Sequence, residues 1–249
     1  MSNSSLKKLT SDTVLGGRIL LFQPEIGYRV AVDPVLLSAA VQAPSGARIL
    51  DAGCGTGAAL FCALSRLENV AGVGLELQTE LVDLAWQGVH TNGLSDRANI
   101  VAGDLATPPN DLKASFEAVF TNPPYFESGS VPPLPVDDHA HVEKNLSLAH
   151  WIKACLKCLC PDGLFAIIHR AERATDIIAA LQGRAGAVTL YPLWPKEGSP
   201  AKRIIVTARK GRRSPASLQP GLVLHKENGE FTPEANAILR DGAPLTTTS

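Results

Sequence analysis

The chain has 249 residues, 45% of them hydrophobic, enough for one sizeable core in a single domain and too many for a peptide-sized module. Its 23 Lys and Arg stand against 24 Asp and Glu, a net charge of −1, which excludes a global field drawing it to nucleic acid or an anionic membrane and leaves only a local patch for such a partner. Five cysteines behind a polar start, Met1 to Thr10, without an apolar leader read as a reduced, cytoplasmic protein, and no uncharged apolar run reaches the roughly 18 to 20 residues that cross a bilayer.

From about residue 46 strand-like and helix-like runs alternate, the pattern of parallel strands joined by helical crossovers. In chain order the predicted elements are a strand over Ala47 to Asp51, a helix over Ala58 to Arg66 and a strand over Val70 to Glu76. A helix over Thr79 to Asn92 and strands over Asn99 to Gly103 and Phe116 to Thr121 follow. After them come a helix over Ser147 to Leu159, a strand over Gly163 to His169 and a helix over Glu172 to Leu181. Val188 to Leu193 and Arg203 to Arg209 close the pattern as an antiparallel pair at the sheet edge. The segment Phe126 to Asn145, with three prolines and no period, reads as a long substrate-facing loop. The tail after Gly211 is polar and turn-rich, frayed over Thr246 to Ser249.

Between the first strand and the first helix lies Asp51-Ala52-Gly53-Cys54-Gly55-Thr56-Gly57, where alternate glycines let the backbone approach a ligand and aim helix N–H groups at it. Ala58-Ala59 after Gly57 rules out a phosphate loop, and glycines at 53, 55 and 57 depart from the G-x-G-x-x-G dinucleotide spacing. Glu76 ends the second strand about 20 residues later, where an acid accepts both hydroxyls of a ribose, and Asp104 follows the third strand, placed to read the edge of an adenine.

The fourth strand ends in Asn122-Pro123-Pro124-Tyr125. Proline at 123 pushes Asn122 towards an extended backbone, and neither proline carries an N–H. The Asn122 side-chain oxygen and the Pro123 carbonyl can together accept both hydrogens of a planar –NH2, while Tyr125 offers a ring face to a flat substrate. Four successive strand ends, bearing the glycine turn, Glu76, Asp104 and this tetrapeptide, converge on one rim of the sheet.

At these residues the chain resembles the class I S-adenosylmethionine-dependent methyltransferases that methylate an exocyclic or amide nitrogen and carry N/D-P-P-Y/F. Within that group it is most similar to the bacterial tRNA1(Val) adenine N6-methyltransferase family. Gln23 to Arg29 and Val32 to Leu37 resemble that family's N-terminal element, which folds over the methionine end of the cofactor, and Leu222 to Leu239 resembles its C-terminal tail. The resemblance implies an α/β fold: a Rossmann-like, doubly wound, mostly parallel seven-stranded sheet with a terminal antiparallel hairpin. It implies an extension at 1–45 covering the cofactor site, a catalytic core at 46–210 and a tail at 211–249 packed on the core or trailing from it. S-adenosylmethionine is the implied cofactor, with Tyr28, Asp33, Asp51, Gly53, Cys54, Gly55, Gly57, Glu76, Asp104, Leu105 and Asn122 binding it. Asn122, Pro123, Pro124 and Tyr125 are the implied catalytic residues, and an adenine in tRNA is the implied acceptor. Ala140 to Glu143 falls where the family usually has Ala-Arg-x-Glu, and His141 in the arginine's place means that a phosphate grip is not carried over to that loop.

Two other readings stay open at this point. The Asn-Pro-Pro-Tyr geometry also suits a glutamine side-chain amide in a protein, although such enzymes usually carry a sizeable helical domain where only residues 1–45 precede this core. A non-catalytic module that binds S-adenosylmethionine or RNA is the third. Lys196, Lys202, Arg203, Arg209, Lys210, Arg212 and Arg213 form one basic concentration around the final hairpin, a candidate RNA-backbone patch. Cys155, Cys158 and Cys160 read as buried structural thiols, His139 and His141 as a solvated loop, and Cys54 as a small filler in the turn; no metal is expected.

Overall fold

The computed structural model describes residues 9–24, 32–124 and 146–246. An antiparallel hairpin, β1 (Leu9–Val14) and β2 (Ile19–Pro24), leads to α1 (Asp33–Ala40). The core follows as β3 (Arg48–Ala52), α2 (Ala58–Arg66), β4 (Ala71–Glu76), α3 (Thr79–Thr91), β5 (Ala98–Ala102) and β6 (Phe116–Thr121). Then come α4 (Leu148–Cys158), β7 (Leu159–Arg170), α5 (Ala174–Leu181), β8 (Ala185–Trp194) and β9 (Arg203–Lys210). The tail holds β10 (Ser217–Leu218), β11 (Leu222–Val223) and α6 (Pro233–Leu239).

The seven strands expected from the sequence form the body of one sheet in the order β5-β4-β3-β6-β7-β9-β8, all parallel except β9. The sheet has nine strands instead of seven, because β10 and β11 both add in parallel to the outer side of β8. The β8–β9 pair is therefore not the free edge that its position in the sequence suggested. Two-residue strands show no alternation, so nothing in the tail's pattern announced them.

Period-two alternation makes the layers. Ile49, Ala118, Phe120, Ala166 and Ile168 face α1, α2 and α3 on one side. Leu50, Val119, Phe165 and Ile167 face α4 and α5 on the other. Both faces are covered, so the central strands read as near-continuous apolar runs. Each fully buried large side chain, such as Phe61, Phe120 or Phe165, contributes about 1.5 to 3 kcal/mol of transfer free energy.

Elements near both limits of the described residues are tied to this core. Asn92 at the end of α3 both accepts from the Leu20 backbone N–H (2.9 Å) and donates to the Leu20 carbonyl (2.8 Å), which pins β2. In the tail, Thr232 caps α6 by accepting from the Ala235 N–H (3.1 Å), and Ala235, Ile238 and Leu239 are buried against α1. Residues 211–246 thus contain a helix and two strands where the composition suggested only turns.

Candidate active site

The site is built by adjacency. Strands β3 and β6 are parallel neighbours, about 4.8 Å apart, with Asp51 opposite Phe120, so Gly53 and Asn122 follow the same ends of adjacent strands. Strand order reverses between these two strands, the place where open α/β sheets bind ligands.

The glycine turn is shaped by backbone bonds and close contacts. Gly53 and Cys54 both donate to the Leu75 carbonyl, at 2.8 and 3.1 Å, which ties the turn to β4. Gly53, Gly55 and Gly57 have φ of 75°, 55° and 89°, the left-handed region that side chains disfavour. Space is also short: a Cβ on Gly57 would lie 2.3 Å from the Phe61 ring, and one on Gly53 would lie 2.9 Å from Trp151 Cζ2. Gly57→Ala should destabilise the fold by about 3 kcal/mol, from strained φ plus overpacking against Phe61. Urea denaturation checks this; a loss under about 0.5 kcal/mol would contradict the packing described.

The acids sit where the sequence put them, each engaged with backbone. Glu76, 7% exposed, accepts from the Gly55 N–H through Oε2 (2.8 Å) and from the Gln78 N–H through Oε1 (3.0 Å). Asp104 is exposed and accepts from the Ala106 N–H (2.8 Å), while Leu105 beside it is buried in the core facing α4. Asp51 is 2% exposed and accepts from the Leu60 N–H in the first turn of α2 (3.1 Å). Burial pushes its pKa from 3.8 up to about 8, Leu60 pulls it down, and the Glu76 charge pushes it up further. Folded protein therefore holds a proton on Asp51 that the unfolded chain releases near pH 4, so this group's contribution to stability is full below that pH and is lost as pH rises to about 8. Melting temperatures of the cofactor-free protein across pH 4 to 9 should show this fall, and Asp51→Asn should flatten it; an unchanged slope in the variant would contradict it.

On the other side of the site, Asn122 is half-buried and Pro123 buried. The residue before them is fixed: Thr121 Oγ1 donates to the Ala52 carbonyl (2.6 Å) and accepts from the Trp151 indole Nε1–H (2.9 Å). Sequence reasoning passed over both residues, since a Trp on an amphipathic helix reads as core. It also missed three others. Thr56, inside the glycine turn, is buried with an Oγ1 that has no hydrogen-bond partner. Leu77, directly after Glu76, leaves 48% of its surface exposed on the same rim. His169 is buried at the end of β7, two positions beyond the partner of Thr121. Burial, then the charges of Arg173, Arg170 and Arg203, lower its pKa from 6.5 to about 4, so it stands neutral at pH 7.

Asp33 begins α1 and pairs with Arg203 at 2.8 Å, which brings it to this rim. Tyr28, Tyr125, His139, His141 and the loop Phe126 to Asn145 lie outside the described residues. The basic residues expected as one patch are divided. Lys202 and Arg203 stand at the rim opposite Arg170, whereas Arg209 and Lys210 lie at the other end of β9, about 20 Å away along the strand. There Arg212 forks onto the two carboxylate oxygens of Asp162, and Lys210 Nζ donates to the Leu159 carbonyl (2.6 Å). Antiparallel pairing of a strand with basic residues at both ends separates what the sequence lists together. Cys155 and Cys158 are buried, and Cys160 is only half-buried, its Sγ 3.7 Å from Glu117 Oε1. Cys54 is buried with its thiol pKa held well above the ordinary value, as suits a filler and not a nucleophile.

Residues 49–132 match a family model described as a methyltransferase domain. A tRNA1(Val) (adenine(37)-N6)-methyltransferase of Yersinia pestis is 26% identical over 216 residues, 86% of each chain. A solved structure of a predicted O-methyltransferase from Agrobacterium tumefaciens superposes with a TM-score of 0.73 at 24% identity, over 87% of this chain and 99% of that one. The chain is an S-adenosylmethionine-dependent methyltransferase with the class I fold. Its cofactor is S-adenosylmethionine. An S-adenosylmethionine-dependent O-methyltransferase of Thermotoga maritima shares the methyltransferase's fold more loosely, with a TM-score of 0.51 at 18% identity over 72% of this chain and 63% of that one. Among the described residues, no helix of the methyltransferase is long and apolar enough to cross a membrane.

Proposed function

We propose that this methyltransferase transfers the methyl group to the exocyclic N6 amine of an adenine in tRNA. One observation carries the reading: an amide oxygen and a proline carbonyl leave β6 beside the glycine turn that leaves β3. A side-by-side exit presents two acceptors for an –NH2 group within reach of the methyl donor. The name of the Yersinia relative supports adenine N6 in tRNA as the acceptor.

The residues of the rim fit the cofactor. The orphaned Thr56 hydroxyl lies inside the turn that the glycines open, and both Glu76 oxygens, each already bonded to one N–H, keep a second lone pair for a ribose hydroxyl. Asp104 serves the purine by hydrogen bonding and the exposed Leu77 by apolar surface, whereas Leu105, its side chain buried in the core, has only its backbone to offer. Asp51 acts through the geometry of the turn, and Gly53, Cys54, Gly55 and Gly57 through their backbone. Asp33, fixed by Arg203, and Tyr28 are assigned to the methionine end.

When bound, the cofactor supplies an electrophilic methyl on a positively charged sulfur, which leaves as a neutral thioether. This chain's part is to make a poor nucleophile ready. The lone pair of an adenine amine is delocalised into the ring, and accepting both its hydrogens at Asn122 and Pro123 favours pyramidal geometry and localises the pair towards the methyl. Proton loss then goes to solvent, and no strong general base is required. Stacking on Tyr125 would contribute about 1 to 3 kcal/mol to holding an unstacked base.

Methyl-labelled cofactor offered with total tRNA and, separately, with a protein pool tests the acceptor class. Label is expected in RNA; label in protein glutamine alone would overturn the reading.

A further inference from the structure

We infer that Thr121 and Trp151 form a brace that sets the separation between the methyl donor and the acceptor nitrogen. The inference rests on reading Asn122 and Pro123 as the acceptor side of the site, and it extends that reading to residues that touch neither substrate.

The brace joins three elements at the points that matter. Thr121 is the last residue of β6, directly before Asn122. Its hydroxyl donates to the Ala52 carbonyl, the last residue of β3, directly before Gly53. The same oxygen accepts from the indole of Trp151 on α4 at 2.9 Å, and the six-membered-ring edge next to that N–H lies against Gly53, where a Cβ would come within 2.9 Å of Cζ2 and 3.1 Å of Cη2. One side chain thus touches both the residue before the acceptor tetrapeptide and the first residue of the donor turn. Thr121 and Ala52 are fully buried and Trp151 is 7% exposed, so water does not compete for these bonds. Both groups are short of alternatives: an indole N–H only donates, and a hydroxyl has one proton to give.

Parallel strands alone do not fix this separation. The regular β3–β6 ladder ends at Asp51 and Phe120, and beyond it the two chains diverge into a turn and a proline pair. The hydroxyl bridge extends the link by one residue, and the indole wedges against the next. Methyl transfer needs the attacking nitrogen and the methyl carbon in line at near contact, a geometry in which a misplacement of about 1 Å costs about 100-fold in rate. Thr121 and Trp151 are positioning residues, acting through Asn122 and Gly53.

Thr121→Val keeps the shape and removes the hydroxyl; Thr121→Ser restores it; Trp151→Phe keeps a ring and removes the donor. With the acceptor pool that the wild type methylates, Thr121→Val and Trp151→Phe should each lower kcat about 10-fold or more while the Kd for S-adenosylhomocysteine stays within about threefold. Thr121→Ser should regain most of the loss, and the double variant should lose little more than the worse single one, since both break the same link. A wild type inactive on tRNA but active on protein would sink the RNA reading and leave the brace to be tested on protein. An acceptor-free readout stands beside these: the indole N–H resonance of Trp151, assigned by its absence in Trp151→Phe, should shift when S-adenosylhomocysteine is added. Wild-type kcat in Thr121→Val, loss of kcat and cofactor affinity in equal proportion, or an indifferent Trp151 resonance would each overturn the brace.

Discussion

Asn122→Ala is expected to lower kcat by about 100-fold or more and to weaken S-adenosylmethionine far less, by about threefold, since Asn122 is one of many residues that the resemblance assigns to the cofactor. The expectation follows from where the amide acts. It stands at the end of β6, beside the glycine turn but not part of it, so its loss removes an acceptor for the substrate amine and leaves the donor side standing. Removing one preorganised hydrogen-bonding group at the reacting centre costs about 100-fold to 1000-fold in kcat, because the bond is made most fully as charge develops. Asn122→Asp keeps acceptor lone pairs and should retain more activity than the alanine variant. Single-turnover rates with saturating cofactor separate the chemical step from binding. A rate within threefold of wild type in Asn122→Ala, with the protein folded, would remove Asn122 from the mechanism.

The second large effect belongs to cofactor binding. Glu76→Ala should weaken S-adenosylmethionine by about 10-fold to 100-fold, the range expected for losing hydrogen bonds to a charged group worth about 1.5 to 3 kcal/mol. Two causes add. The ribose loses its acceptor, and the Gly55 and Gln78 N–H groups lose the carboxylate that now orders the turn. Glu76→Gln tests the division, since its amide offers one oxygen where the carboxylate offers two. Calorimetric titration with S-adenosylhomocysteine measures the effect, and an unchanged Kd in Glu76→Ala would contradict the assignment.

Much of this site could be read before the fold was seen, because its parts are local. The glycine turn, the strand-end acids and Asn-Pro-Pro each declare themselves within a few residues, by conformational need or by chemistry placed at the end of an apolar run. What escaped reading depends on pairs far apart in the chain. The Thr121–Trp151 bond spans 30 residues and the Asp33–Arg203 pair 170. Neither side of such a pair looks unusual alone: Trp151 has the environment of any core tryptophan, and Asp33 looks like a residue at a helix start. The basic segment misled for a related reason. Residues 196 to 213 are contiguous in sequence, but β9 carries one end to the rim of the candidate site and the other to Asp162 at the far side of the sheet. In the tail, β10, β11 and α6 are too short to show a period and are held by β8 and α1 more than by their own propensities.

The most direct test of the central claim is the chemical identity of the product. Incubating the protein with methyl-labelled S-adenosylmethionine and total tRNA, then digesting the RNA to nucleosides, should place the label in N6-methyladenosine. Label in a ribose 2′-O-methyl, in a ring-nitrogen or carbon-methylated base, or in no nucleoside at all would contradict it.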